Sequence, residues 1–210
     1  MEDVLDLYEL PYDPKRPMVC LDEKSKSLLG ELHPPEPVRP GAVARYDYEY
    51  SRNGTRNLFV MVEPLVGWRG VRVTERRTRR DYAQVIRWLV DEKYSEAEKV
   101  VIVQDNLNTD SPASLYEAFA PAEARRILKR VEFHFTPKHG SWLNMAEIEI
   151  GIFERMALKG RIGDDETLRR QVSALEAERN AKGATINWRF TSADARVKLK
   201  RLYPKLDEQT

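Results

Sequence analysis

The sequence predicts an α/β domain, a mixed sheet with helices on its faces. Two patterns carry the prediction. Strand-like runs come first and meander, and after them short apolar runs alternate with helical stretches as far as about residue 158. Length agrees, since 210 residues fit one generous domain or one domain with a helical extension. A hydrophobic content of 41% is enough for a real core and excludes global disorder.

Residues 1–17, MEDVLDLYELPYDPKRP, read as a lead-in with a short helix over residues 2–9, ended by Pro11 and Pro14. MVCLD then forms a buried strand that delivers Asp22 at its end. The twenty residues after it, through HPPEPVRPG, read as a proline-rich polar loop. Tyr46, Tyr48 and Tyr50 alternate with Asp47 and Glu49, the pattern of a half-exposed strand. Asn53-Gly54 signals a hairpin to the partner strand NLFVMVEP, and GVRVTE follows as another strand.

RDYAQVIRWLVDEKY reads as a helix with Tyr82, Ile86, Leu89 and Val90 on one face. KVVIVQD is a compact buried strand ending on Asp105. A helical stretch from about Ser114 to Lys129 is broken near Pro121, and VEFHFTP is the last strand. PKHGSW supplies turn signals, and a helix then runs without a breaker to Gly160. Two helices close the chain, at about Asp165–Ala181 and Ser192–Tyr203, the second with a Thr191–Asp194 capping box. The GRIGDD turn, residues 160–165, marks the boundary before them.

Charge gives little away, because 35 basic residues nearly balance 34 acidic ones; partners can be read only from local clusters. The single cysteine, Cys20, excludes an internal disulfide and suits a reducing compartment; its apolar surroundings make it a packed core thiol. The N-terminus sets acids among its leucines, unlike a signal peptide, and no stretch approaches the roughly 20 apolar residues of a membrane span. A soluble intracellular protein without a membrane partner is expected. Three scattered histidines and one cysteine offer no zinc-ligand spacing.

The chemistry lies in carboxylates. Asp22 and Asp105 each follow a short apolar strand, although either one alone also reads as a turn starter. The helix after Ser141 adds Glu147 and Glu149. Converging carboxylates repel, at roughly 4 kcal/mol for two charges about 4 Å apart at an effective dielectric of about 20. A divalent cation with oxygen ligands, Mg²⁺ or Mn²⁺, offsets that repulsion. Helical periodicity does not separate the two glutamates: Leu143, Ala146, Ile150, Phe153 and Ala157 form one stripe, and both flank it equally. A second stripe, Met145, Ile148, Ile152 and Met156, predicts burial on both faces of that helix.

The segments VCLDE, VIVQDNLNT, TPKHGSWLNMAE and INWRFTSADARVKLKRLYP, in this order, resemble DDE transposases, most closely the bacterial insertion sequence 630 family of the mariner superfamily. The resemblance covers nearly the whole chain. It implies an RNase H-like fold, a mixed five-stranded sheet flanked by helices, with a C-terminal helical extension. The metal-binding triad it implies is Asp22, Asp105 and Glu147, which leaves Glu149 an ordinary surface or supporting residue. Two Mg²⁺ or Mn²⁺ ions would activate a water to cut the phosphodiester at each element end. The freed 3′-hydroxyl would then attack target DNA at TA sites, with no protein nucleophile.

The same resemblance divides the chain into a lead-in (1–17), a catalytic domain (18–160) and C-terminal helices packed on it (161–210). Relatives carry a helix-turn-helix region upstream, so this chain looks like the catalytic half of a transposase. The partners implied are double-stranded DNA, a separate DNA-reading half and a second copy in a homodimer; the location implied is the bacterial cytoplasm, at the nucleoid. One departure stands out, since similar sequences read DNLNTH where this chain has Asp110.

Arg69, Arg72, Arg76, Arg77, Arg79 and Arg80 lie within a dozen residues beside Trp68, a density that suits either phosphate contacts or a solvated helix start. Of these, Arg76, Arg77, Arg79 and Arg80, with Lys138, His139 and Asn144 beside the expected metal site, are the candidate DNA contacts. The rival to a transposase is a decayed or domesticated fragment that binds DNA or a partner without cutting; a general metal-dependent nuclease on the same fold is a further alternative.

Overall fold

A computed structural model describes residues 1–32, 49–105 and 111–203. Among these residues, five strands form one sheet in the order β3-β2-β1-β4-β5: β1 Met18–Glu31, β2 Tyr50–Glu63, β3 Trp68–Thr74, β4 Val100–Gln104 and β5 Val131–Phe135. β1, β2 and β3 pair antiparallel, while β1, β4 and β5 run parallel. The seven α-helices among the described residues are α1 Glu2–Tyr8, α2 Arg79–Trp88, α3 Ala113–Ala118, α4 Pro121–Leu128, α5 Ala146–Met156, α6 Asp165–Lys182 and α7 Ser192–Lys198. This is the mixed, helix-flanked sheet the sequence predicts.

Alternation along the strands separates two cores. Val19, Leu21, Phe59, Met61, Val100 and Ile102 face α2, α3 and α4, where Tyr82, Ile86, Leu115 and Ile127 are fully buried. On the other face Cys20, Val62, Val101 and Val103 meet α1 and the residues leading into α5. Leu28, Leu58 and Val60 continue that face beneath α5 and α6, with Phe153, Leu168 and Val172. The GRIGDD turn is stitched to the sheet, since Leu29 N–H donates to the Ile162 carbonyl at 2.7 Å.

Several expectations change. β1 does not stop at Asp22 but runs on to Glu31, because the long β2 pairs with its polar half (Lys24 opposite Leu58, Lys26 opposite Arg56). Asn53-Gly54 makes no hairpin. It is a bulge within β2, where the register slips between Ser27–Thr55 and Leu29–Arg52, and Gly54 supplies the positive φ of 102°. Tyr50 begins β2, whereas Tyr46 and Tyr48 lie outside the described residues. The helix after Arg79 ends in one π-helical turn, Leu89–Lys93, and the last helix gives way to a 3₁₀ turn at Lys200–Leu202. The second stripe of α5 is covered only in part: Met145 is buried and Ile152 half-buried, but Ile148 is 45% and Met156 59% exposed.

The free edge of β3 is closed by side chains from α6. Asn180 exchanges two hydrogen bonds with the backbone of Arg69, accepting at 2.7 Å and donating at 2.8 Å. Glu176 accepts from Val71 N–H at 3.2 Å, and Arg169 donates to the Val73 carbonyl at 3.0 Å. Polar side chains thus replace a missing neighbour strand. The Thr191–Asp194 capping box forms as expected, and so does a second one, Thr78–Asp81, at the start of α2.

Candidate active site

β1 and β4 run parallel with Cys20 opposite Val103. Two residues further along each chain stand Asp22 and Asp105, so the register sets the two carboxylates level on neighbouring strands. Their parity matches that of Cys20 and Val103, the face covered by α1 and the entry to α5. Asp22 is not the end of its strand, as expected from the sequence; it lies inside β1, just past the part that pairs with β4.

Asp105 is held from β5. Thr136, buried one residue past that strand, donates its hydroxyl hydrogen to Asp105 Oδ1 at 2.7 Å, and its N–H meets the Gln104 carbonyl at 2.9 Å. Asp22 Oδ1 accepts the N–H of Glu23 at 2.7 Å. Glu147 stands in the first turn of α5, where the helix dipole favours an acid. Burial raises its pKa above the usual carboxylate value, the Asp105 charge raises it further, and Lys24 pulls the other way. Glu147 and Asp105 therefore lie within electrostatic reach of each other.

The two glutamates have different fates. Glu147 is exposed, whereas Glu149 is completely buried, with its oxygens 2.8 and 3.0 Å from Arg179 and 3.1 Å from Arg69. An ordinary surface position for Glu149 is thus corrected: 200° further round the helix it points beneath α6. Asn144 is buried too. It donates to the Leu21 carbonyl at 2.8 Å and accepts the N–H of Ala146 at 3.1 Å, so it joins β1 to the start of α5 and presents no surface to DNA.

Lys138 and His139 are exposed in the turn before α5, with His139 in the left-handed region at φ 65°. The arginine group divides. Arg69 is wholly buried, and Arg72 lies over the Trp88 ring at 4.0 Å. Arg77 pairs with Glu23 at 3.1 Å, Arg79 pairs with Glu117, and Arg76 and Arg80 are exposed. Lys24 pairs with Glu154 of α5. Asp110 lies outside the described residues, and Cys20 is buried as expected.

Among the described residues, no three of His, Cys, Asp and Glu are gathered tightly enough to hold a metal ion. The structure brings Asp22 level with Asp105 and Asp105 within reach of Glu147, but does not close the three into one cluster. Their donor chemistry nevertheless fits a hard divalent cation. All three offer carboxylate oxygens; burial first and the Asp105 charge second raise the Glu147 pKa, and a cation would relieve the second of these.

A family model described as DDE superfamily endonuclease matches residues 17–169. The chain belongs to this family. Its DDE domain also resembles solved structures. The Mos1 mariner paired end complex with Mn aligns at TM-score 0.55 and 17% identity over 87% of this chain and 55% of that one. The Mos1 strand transfer complex aligns at 0.56 and 17% over 87% and 54%, and the mariner Mos1 paired end complex with Mg at 0.55 and 17% over 97% and 61%. At this identity the likeness establishes the fold, the RNase H-like one expected. The DDE domain spans little more than half the length of those chains. Comparison with curated protein sequences gives no match.

Two features of this DDE domain escape the sequence reading. Thr136 carries a signal, a polar residue at the end of a short apolar strand, but its meeting with Asp105 needs the strand order. Arg69 carries none, being one of six similar arginines.

Among the described residues, no helix is long and apolar enough to cross a membrane.

Proposed function

We propose that this DDE domain catalyses metal-dependent cleavage of DNA at transposon ends and transfer of the freed 3′ end into target DNA. The observation that carries the reading is Asp22 level with Asp105 on adjacent strands, with Glu147 at the start of α5 within electrostatic reach of Asp105. These three residues would hold the divalent ions, a pair of Mg²⁺ or Mn²⁺. Such ions, when bound, stabilise charge on phosphodiester oxygens and lower the pKa of water.

The chain's own groups do the rest. Thr136 fixes Asp105, and Asn144 fixes the distance between β1 and the helix that bears Glu147. Exposed Arg76, Arg77, Arg80, Lys138 and His139 provide sequence-independent phosphate contacts, and Arg79 adds to them from beside Glu117. No side chain serves as nucleophile. Double-stranded DNA is the partner, with element ends and a TA target; a homodimer and a separate helix-turn-helix half complete the assembly, at the bacterial nucleoid.

The test is strand cleavage of a duplex carrying the element's end, with Mg²⁺ or Mn²⁺ and with the DNA-reading half supplied. Glu147→Gln and Asp105→Asn should each cut about a thousandfold more slowly, as loss of several kcal/mol of charge stabilisation requires. Equal cleavage by parent and variants would reject the triad. The rival, a protein that binds DNA or a partner without cutting, draws on the open arrangement of the three carboxylates. Metal-independent DNA binding with no cleavage under any condition would favour it.

A further inference from the structure

We propose that Glu149, clamped by Arg69 and Arg179, is a positioning group that sets the rotation of α5 and so turns Glu147 toward Asp105. This rests on the reading of Glu147 as a metal ligand.

α5 needs such a device. It has 11 residues, its outer face is exposed at Ile148 and Met156, and apolar packing on one side permits small rotations. Its N-terminal tie, Asn144 to Ala146, fixes where the helix begins but not how its later turns face. Glu147 and Glu149 are two residues apart, or 200° about the axis. Whatever holds Glu149 inward therefore holds Glu147 on the opposite side.

What holds Glu149 is specific. Arg179 of α6 meets both of its oxygens through Nε and Nη2, at 2.8 and 3.0 Å, the fork that a guanidinium makes with a carboxylate. Arg69 of β3 brings its Nε to 3.1 Å. Arg69 cannot follow a rotating helix, because its other nitrogens donate to the carbonyls of Gly67 and Ala184. Glu149 and Arg69 are both 0% exposed. Turning α5 would strip a fully buried carboxylate of its partners, which proteins strongly resist. Two separate elements, β3 and α6, thus fix one helix angle from its buried side.

The test uses the full chain and Mn²⁺ alone, with binding followed by the electron paramagnetic resonance signal of free Mn²⁺ and folding by thermal unfolding. Parent should bind Mn²⁺ and Glu147→Gln should not. Arg179→Lys keeps the charge at a partly exposed rim position but loses the fork. It should unfold near the parent's temperature yet bind Mn²⁺ about tenfold more weakly, the usual effect of disturbing a group that orients a metal ligand. Glu149→Gln should weaken binding at least as much; if it fails to fold, Arg179→Lys decides. Parental Mn²⁺ affinity in folded Arg179→Lys, with Glu147→Gln deficient, would overturn the positioning role and spare the functional reading. Parental affinity in Glu147→Gln would overturn both.

Discussion

The hydroxyl of Thr136 donates to Oδ1 of Asp105 across 2.7 Å, tying the end of β5 to the carboxylate that follows β4. A hydrogen bond to a charged acceptor contributes about 1.5–3 kcal/mol. Thr136→Val keeps the shape and loses the donor. It should lower Mn²⁺ affinity roughly tenfold and lower the thermal midpoint by several degrees, a pair of results that titration and calorimetry would read together.

Proton binding should compete with metal at Glu147. Burial and the Asp105 charge raise its pKa, so the carboxylate takes up a proton at a higher pH than an ordinary glutamate. Metal affinity should therefore decline on acidification before the usual carboxylate range is reached. The sign for stability is opposite to that of a salt-bridged acid. A raised folded pKa favours the fold below the unfolded pKa, and that contribution is lost as pH rises through the folded value. At neutral pH without metal, Glu147→Gln should unfold slightly above the parent's temperature; a lower midpoint would contradict the strain.

Acid should loosen the contact between the two ends of the described chain. Hydrogen bonds from Arg196 and Tyr203 hold the Glu2 carboxyl down at about 2 from a usual 4.5. A depressed folded pKa stabilises above the unfolded value and ceases to do so as pH falls through the folded one. The clasp should thus weaken between about pH 4.5 and 2. Trp188, whose ring lies 5.3 Å from Tyr8 of α1, would report it by fluorescence, and Glu2→Gln should remove the pH dependence.

Gly67 should tolerate no side chain. Its φ is +71°, and a Cβ there would stand 2.5 Å from the carbonyl oxygen of Gly183. Gly160 has a similar φ of +78° but nothing within 4 Å. Denaturant midpoints should place Gly160→Ala about 1–2 kcal/mol below parent, the strain alone, and Gly67→Ala clearly lower.

Local chemistry explains what the sequence makes legible. Pro121 interrupts α3–α4 where expected, Thr191 caps α7, and β4 ends beside Asp105 because each is written in adjacent residues. Long-range partners are not. The length of β1 depends on β2, twenty residues and more away, and Asn53-Gly54 has the composition of a turn whether it closes a hairpin or bulges a strand. Glu147 and Glu149 flank the same apolar stripe symmetrically. Only Arg69 and Arg179, brought from another strand and another helix, distinguish them.

The family match ends at residue 169, yet Glu176 and Asn180, which occupy the backbone of β3, come after it. A protein trimmed at that limit would keep every carboxylate of the site and still present bare N–H and C=O groups along Arg69 and Val71. Such an edge is a template for another copy's strand. The smallest well-behaved form of this DDE domain therefore reaches through Lys182, and shorter versions should come out of solution as β-rich aggregates rather than as soluble monomers.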